Sequence, residues 1–390
     1  MSKLLPQLWL APSLEQGVAC TAMLTIRVAV FLAGSALVAW TLLSAVRTVV
    51  LPRSAQSVLG RTVFRSLASV FRLMAGDRAS FAWRDRVWAL FAPIGLLSMA
   101  VTWLVLVLVG FTGIFWAVQH DGWSEAFFLS GSSLLTLGFA PAETFWERVL
   151  AFSEATMGLG LMALLIAFLP ALYSSFQRRE LRVGELEVRA GTPPSAVVFL
   201  TRLNAIGRLT HMESTWLAWE TWFIDIQESH TSYPALNFFR SPMPEHHWVT
   251  AAGTVMDTAA LVVSSVDIPH QPEPQLCIRA GYIALRRIAD FFGMDYEPDP
   301  QQTDPISIGR EEFDVVYERL RQAGVPMKAD QDQAWIDWAG WRVNYDSVLL
   351  QLAELTMAPY APWTSDRSSP GHQQPRLRRW GKRLVSREGL

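Results

Sequence analysis

Two features of this 390-residue sequence could do chemistry inside a membrane. The first is the string Thr136-Leu137-Gly138-Phe139-Ala140-Pro141, which ends the segment 126–141 and lies between two long apolar runs. Non-helical backbone at membrane depth persists only where protein buries it or where it lines a water-filled path. Carbonyls presented by such a string can replace a cation's hydration shell, so the chemistry is coordination and not bond-making. The second feature is Glu154, the one charged residue between Val149 and Phe176. An ionisable group within a span is costly and faces protein or water. Two readings of Glu154 stand side by side: it hydrogen-bonds behind the string or attracts cations, or it is interfacial and within snorkelling reach of the surface.

These residues need elements to hold them. Asp121-Gly122 can start a short helix over Trp123 to about Leu135, with Glu125 in the first turn where the helix dipole favours an acid. Its C-terminal end, partially negative, would point toward the string. Three runs are long enough to cross roughly 30 Å of hydrocarbon. They are Val28–Val46 between Arg27 and Arg47, the uncharged Val87–Gln119, and Val149–Phe176, which Arg178-Arg179-Glu180 stops. The loop between the first two carries Arg53, Arg61, Arg65, Arg72, Arg78, Arg84 and Arg86 against Asp77 and Asp85, which places it in the cytoplasm. The next loop has Asp121, Glu125, Glu143 and Glu147 against Arg148 and faces out. The expected topology is therefore multi-pass, with the N-terminus outside and the C-terminus cytoplasmic. The N-terminal stretch is a poor secretory signal, so the first run is expected to stay as an anchor.

In this order of span, short helix, string and span, residues 87–176 resemble the pore domain of two-transmembrane potassium channels, whose filter reads T-V-G-Y-G-D. The resemblance implies a fold with a re-entrant pore loop and a filter in which the hydroxyl and carbonyl of Thr136 and the carbonyls of Leu137, Gly138 and Phe139 coordinate the ion. Gly138 would give the backbone freedom this requires, and Phe139 would pack outward as the family's Tyr does. One loop per chain cannot close a ring, so a pore implies a homotetramer. The resemblance also places a glycine hinge near Gly158 or Gly160, although small residues equally serve close helix contact in lipid. Pro170 can kink the same helix, and Leu169, Leu172 and Phe176 could then form a gate. Two departures stand out. Ala140 replaces the second filter glycine, where a left-handed backbone would cost a residue with a Cβ roughly 1–2 kcal/mol. Pro141 replaces an acid and removes a donor.

Composition agrees with a chain that is part membrane and part soluble: 51% hydrophobic, 17% charged. The net charge of −2 conceals blocks of about +5 over 1–179, −12 over 180–360 and +5 over 361–390. The chain divides into an N-terminal segment and first span (1–51), a basic cytoplasmic loop (52–86), the channel-like pore region (87–176), an α-helical cytoplasmic domain (177–360) and a basic tail (361–390). In the loop, Phe64, Leu67, Phe71 and Met74 recur at helical spacing among Arg61, Arg65 and Arg72. That pattern reads as a topology signal with some helix, or as a helix on anionic lipid. The tail, with Arg376, Arg378, Arg379, Lys382 and Arg383, has the same option of anionic lipid or of its own acidic domain.

Within 177–360, Pro193-Pro194-Ser195 opens a helix, Trp216, Trp219 and Phe223 mark one face of Glu213–Glu228, and apolar periodicity recurs in 249–265, 276–293, 310–323 and 332–357. An all-α bundle is expected, with the tryptophans as core. Arg240 reads as a loop anchor. His211, Glu213, Asp225, Glu228, His230, His246, His247 and Asp257 match no ligand spacing, so no metal is assigned. Cys20 and Cys277 exclude a disulfide framework. No nucleophile–base pair or phosphate loop points to an enzyme or a nucleotide, and nothing points to nucleic acid. The expectation is an all-α membrane protein with three transmembrane helices, a pore loop between the second and third, and a helical cytoplasmic domain. It would conduct monovalent cations, with potassium as the permeant ion and no cofactor, at the plasma membrane. The alternative is a non-conducting pore-domain relic that anchors a helical sensor or scaffold.

Overall fold

The computed structural model describes residues 14–49, 58–76, 81–119 and 122–367. Arg53, Asp77, Arg78, Asp121 and the tail residues Arg376, Arg378, Arg379, Lys382 and Arg383 lie outside them. The described chain is all-helical, and the one β-bridge, Val266 with Met327, is isolated. Three helices are long and apolar enough to cross a membrane: Thr21–Val49, Trp83–Val118 and Phe145–Ala190. The described residues form two compact units, one drawn from within 1–67 and 94–170, the other from within 68–93 and 171–367.

In the first unit, α1 (Leu14–Val49) packs against α4 (Phe91–Val118) through two glycines. A Cβ on Gly34 would lie 2.5 Å from the Gly110 carbonyl oxygen, so only glycine lets the backbones come this close. Near the other end Arg27 donates to the Gln119 carbonyl at 2.9 Å. Between α1 and α4 the chain forms the amphipathic α2 (Val58–Ala75) and the short α3 (Phe81–Ala89). After α4 come α5 (Trp123–Leu134) and α6 (Phe145–Ala190). The charged residues Arg178-Arg179-Glu180 end the apolar stretch but not the helix, which runs on until Gly191 takes a left-handed φ of 79°.

The second unit is a helical bundle: α7 (Ala196–Ala205), α8 (Glu213–Ser232), a 3-10 turn (Pro234–Phe238), α9 (Trp248–Ser264), α10 (Glu273–Phe292), α11 (Arg310–Gln322), α12 (Gln331–Arg342) and α13 (Asp346–Thr356). Helix α9 is buried almost throughout, with α7, α10, α12 and α13 packed around it and α8 against α10. Trp216, Trp219 and Phe223 lie in this core together with Trp248 and Trp338. The periodic run 332–357 is two helices, not one. Asn344 turns its amide back onto the carbonyls of Gly340 and Trp341, and that competes with continuing the helix. The fully buried Arg342 then donates to Asp257 and Asp346 and to the Trp363 carbonyl, each within 2.7 Å. Burial alone would lower its pKa, but the two carboxylates outweigh that and raise it.

Candidate functional site

Helix α5 has Gly122 as its N-cap and Glu125 in its first turn. Ala126, Leu129 and Leu134 bury one side of it, while Phe127 and Phe128 remain exposed. This amphipathic split follows from AFFLSGSSL, whose small and apolar residues recur at helical spacing. Beyond Leu134 the chain leaves the helix and stays non-helical as far as Thr144.

The string is held from its own helix. Leu137 N–H donates to the Ser132 carbonyl at 2.8 Å and Thr136 N–H to the Ser133 carbonyl at 3.1 Å. The Ser132 hydroxyl accepts from Ala140 N–H at 3.1 Å. Thr136 (φ 55°) and Gly138 (φ 72°) are left-handed, with Leu137 between them outside that region. For a β-branched threonine this conformation is strained, at a cost of about 1–3 kcal/mol. Ala140 is not among the left-handed residues. The penalty expected of a Cβ at 140 is therefore not incurred there, and the strain sits at Thr136 instead. Leu135, Leu137 and Phe139 are 57%, 58% and 60% exposed, so the segment presents an apolar lip of three side chains.

The exit is organised by α6. Thr144 and Glu147 form a capping box, since Glu147 N–H donates to Thr144 Oγ1 at 3.3 Å and Glu147 Oε2 accepts from Thr144 N–H at 3.3 Å. The same Oε2 accepts from Glu143 N–H at 2.8 Å. Arg148 donates to the carbonyls of Ala142 and Glu143, both at 3.1 Å. These contacts fix the turn just after Pro141.

Behind the string, Glu154 is completely buried and Ser130 Oγ donates to its Oε1 at 2.6 Å. The same hydroxyl lies 3.1 Å from the Leu108 carbonyl of α4. Glu154 therefore lies against the short helix, buried within the chain. Four residues on, a Cβ on Gly158 would sit 2.5 Å from the Leu134 carbonyl oxygen. Gly160 faces open space within the chain, with no heavy atom inside 4 Å of such a Cβ. Pro170 lies inside an unbroken helix. Leu169 is exposed, Leu172 is buried, and Phe176 stacks on Tyr173 and meets Phe239 at a tilt, so these three do not share one environment.

Ser130 and Ser132 are not singled out by motif or charge; the cluster of Ser130, Ser132 and Ser133 at the end of a short apolar helix is the one signal in the sequence that marks them. In the second unit the histidines have separate partners or burial sites. His230 and His247 are buried beside Trp248, His246 pairs with Glu187 at 3.0 Å, and Asp257 belongs to Arg342 and Tyr345. Arg240 does anchor a loop, donating to the Met357 carbonyl at 2.9 Å with Asp85 3.4 Å away. No protein-family model, curated protein or solved structure matches this chain, so the functional reading rests on these residues and their geometry.

Proposed function

We propose that this chain is one subunit of a homotetrameric cation channel, with potassium as the expected ion. The observation that carries the reading is the string itself. It is a non-helical stretch with left-handed backbone at Thr136 and Gly138, set between a short helix and a long apolar one. Alternation in and out of the left-handed region lets successive carbonyls face one side, and a row of carbonyls is what a dehydrated cation needs. The reading assigns coordination to Thr136, Leu137, Gly138 and Phe139. The exposed lip of Leu135, Leu137 and Phe139 supports assembly, because a patch of this kind marks a surface that a partner covers. Three further copies around an axis would cover it and close the ring. The loop 123–144 would face outward and residues 177–360 the cytoplasm, at the plasma membrane. The basic α2, with Arg72 and the exposed Leu73 and Met74, suits anionic lipid on the inner leaflet.

The test is purified protein in planar bilayers with potassium and sodium on opposite sides. Cation-selective unitary current, abolished by Gly138→Asp in a tetramer of unchanged size, is the expected result. Silence across voltage, pH and lipid composition, or an assembly other than four, would overturn the proposal and favour the non-conducting anchor.

A further inference from the structure

Glu154 is an acid buried among helices with only half of its hydrogen-bonding capacity met by protein. Oε1 takes the Ser130 hydroxyl at 2.6 Å, whereas the buried Oε2 has no protein partner. A buried polar atom left without a partner costs stability, so an apolar side chain of similar size would serve the fold at least as well. The geometry around the acid shows what it does supply. Ser130 lies between Glu154 of α6 and the Leu108 carbonyl of α4. Its single proton goes to Oε1 at 2.6 Å, with the Leu108 carbonyl 3.1 Å from the same hydroxyl oxygen, so the directional tie of α5 at this level is the one to Glu154. Two residues further along the same rigid helix, Ser132 holds Leu137 through its carbonyl and Ala140 through its hydroxyl. A rotation or slide of α5 about Ser130 would therefore displace both ends of the string. Ala126, Leu129 and Leu134 resist that motion only through non-directional apolar contact.

We infer that Glu154 is a positioning residue for ion selection: acting through Ser130, it fixes the register of α5 and with it the spacing of the carbonyls from Thr136 to Phe139. This rests on the reading of that string as the ion-coordinating element. A loosened string would discriminate less between ions of different radius, because selection by carbonyls depends on how firmly they are held.

The experiment compares full-length wild type with Glu154→Leu, Glu154→Gln, Ser130→Ala and the double variant Glu154→Leu/Ser130→Ala. Two readouts are taken: the potassium-to-sodium permeability ratio in bilayers, and hydrogen exchange of the 132–140 backbone in the tetramer. Glu154→Leu and Ser130→Ala should each lower the ratio by roughly three- to tenfold, the scale of one lost positioning hydrogen bond. Exchange across 132–140 should rise in both, while the melting temperature of Glu154→Leu holds or increases. The glutamine amide still reaches Ser130, so Glu154→Gln should restore both readouts. The double variant should be no worse than either single change. Unchanged selectivity and unchanged exchange in Glu154→Leu would overturn the inference, as would a loss that glutamine does not rescue. If Glu154→Leu fails to assemble, Ser130→Ala decides by the same criteria. If the wild type is silent, the channel reading fails while the exchange comparison still tests the role of Glu154.

Discussion

Replacing Gly158 by alanine is the sharpest perturbation of the contact between α5 and α6. The added Cβ would meet the Leu134 carbonyl oxygen at 2.5 Å and Leu134 Cδ1 at 3.0 Å. The first is a backbone atom at the end of α5 and cannot rotate away. Non-bonded heavy atoms settle near 3.5–4.0 Å, so the helices must part by roughly 1 Å. Overpacking of this kind costs about 1–3 kcal/mol. It is opposed by about 1 kcal/mol of helix propensity gained when glycine becomes alanine. At Gly160 nothing within the chain opposes the new methyl, so Gly160→Ala should show only the gain. The two variants should thus differ by about 1–3 kcal/mol, with Gly158→Ala the less stable. At roughly 2–4 °C per kcal/mol, the apparent melting temperatures of the purified assemblies should separate by several degrees. Equal melting temperatures would refute the packing argument. Equal melting with conduction impaired in both would return the glycines to the role of a hinge.

Three further outcomes follow from the second unit. Arg342→Met strands the buried carboxylates of Asp257 and Asp346 and should destabilise the protein by about 3–5 kcal/mol in tryptophan-monitored unfolding; a loss under about 1 kcal/mol would contradict the ionic account. Burial and then the charge of Arg179 hold His230 well below its ordinary pKa of 6.5, and burial followed by Arg240, Arg179 and His230 does the same for His247. Below pH 6.5 the unfolded chain binds protons that the folded chain refuses, so stability is full above that value and falls as pH drops toward the folded pKa. The slope is about 1.4 kcal/mol per pH unit for each histidine. Melting followed from pH 7.5 to 5.5 should flatten in His247→Gln, and an unaltered slope would count against this assignment. Burial raises the pKa of the fully buried Cys277 thiol, so it should resist maleimide in the native protein and react on unfolding, read as a mass shift of its peptide.

The helices were largely legible because apolar runs and 3.6-residue periodicity are local properties. The short helix 123–134 and the span that follows came directly from spacing and charge. Helix ends that depend on one side chain were not legible, as the Asn344 break shows. The string could be found by its residue types, but its conformation could not. Strain at Thr136 instead of Ala140 depends on which N–H groups Ser132 captures, and no pattern in the string encodes that. Glu154 drew attention as a charge within a span, yet its partner lies 24 positions away and is set by packing.

The double hold exerted by Ser132 bears on which mutations the string can survive. The side chains of Leu137 and Phe139 are more than half exposed and apolar, so within one chain they can vary in size without changing a hydrogen bond. Position 132 admits only a small hydroxyl residue, because an alanine there releases Ala140 and a larger side chain disturbs the buried face of α5. A saturation screen read by the fold of the single chain would then show tolerance at Leu137 and Phe139 and intolerance at a serine outside the string. The information that shapes the path would be stored one helical turn away from it.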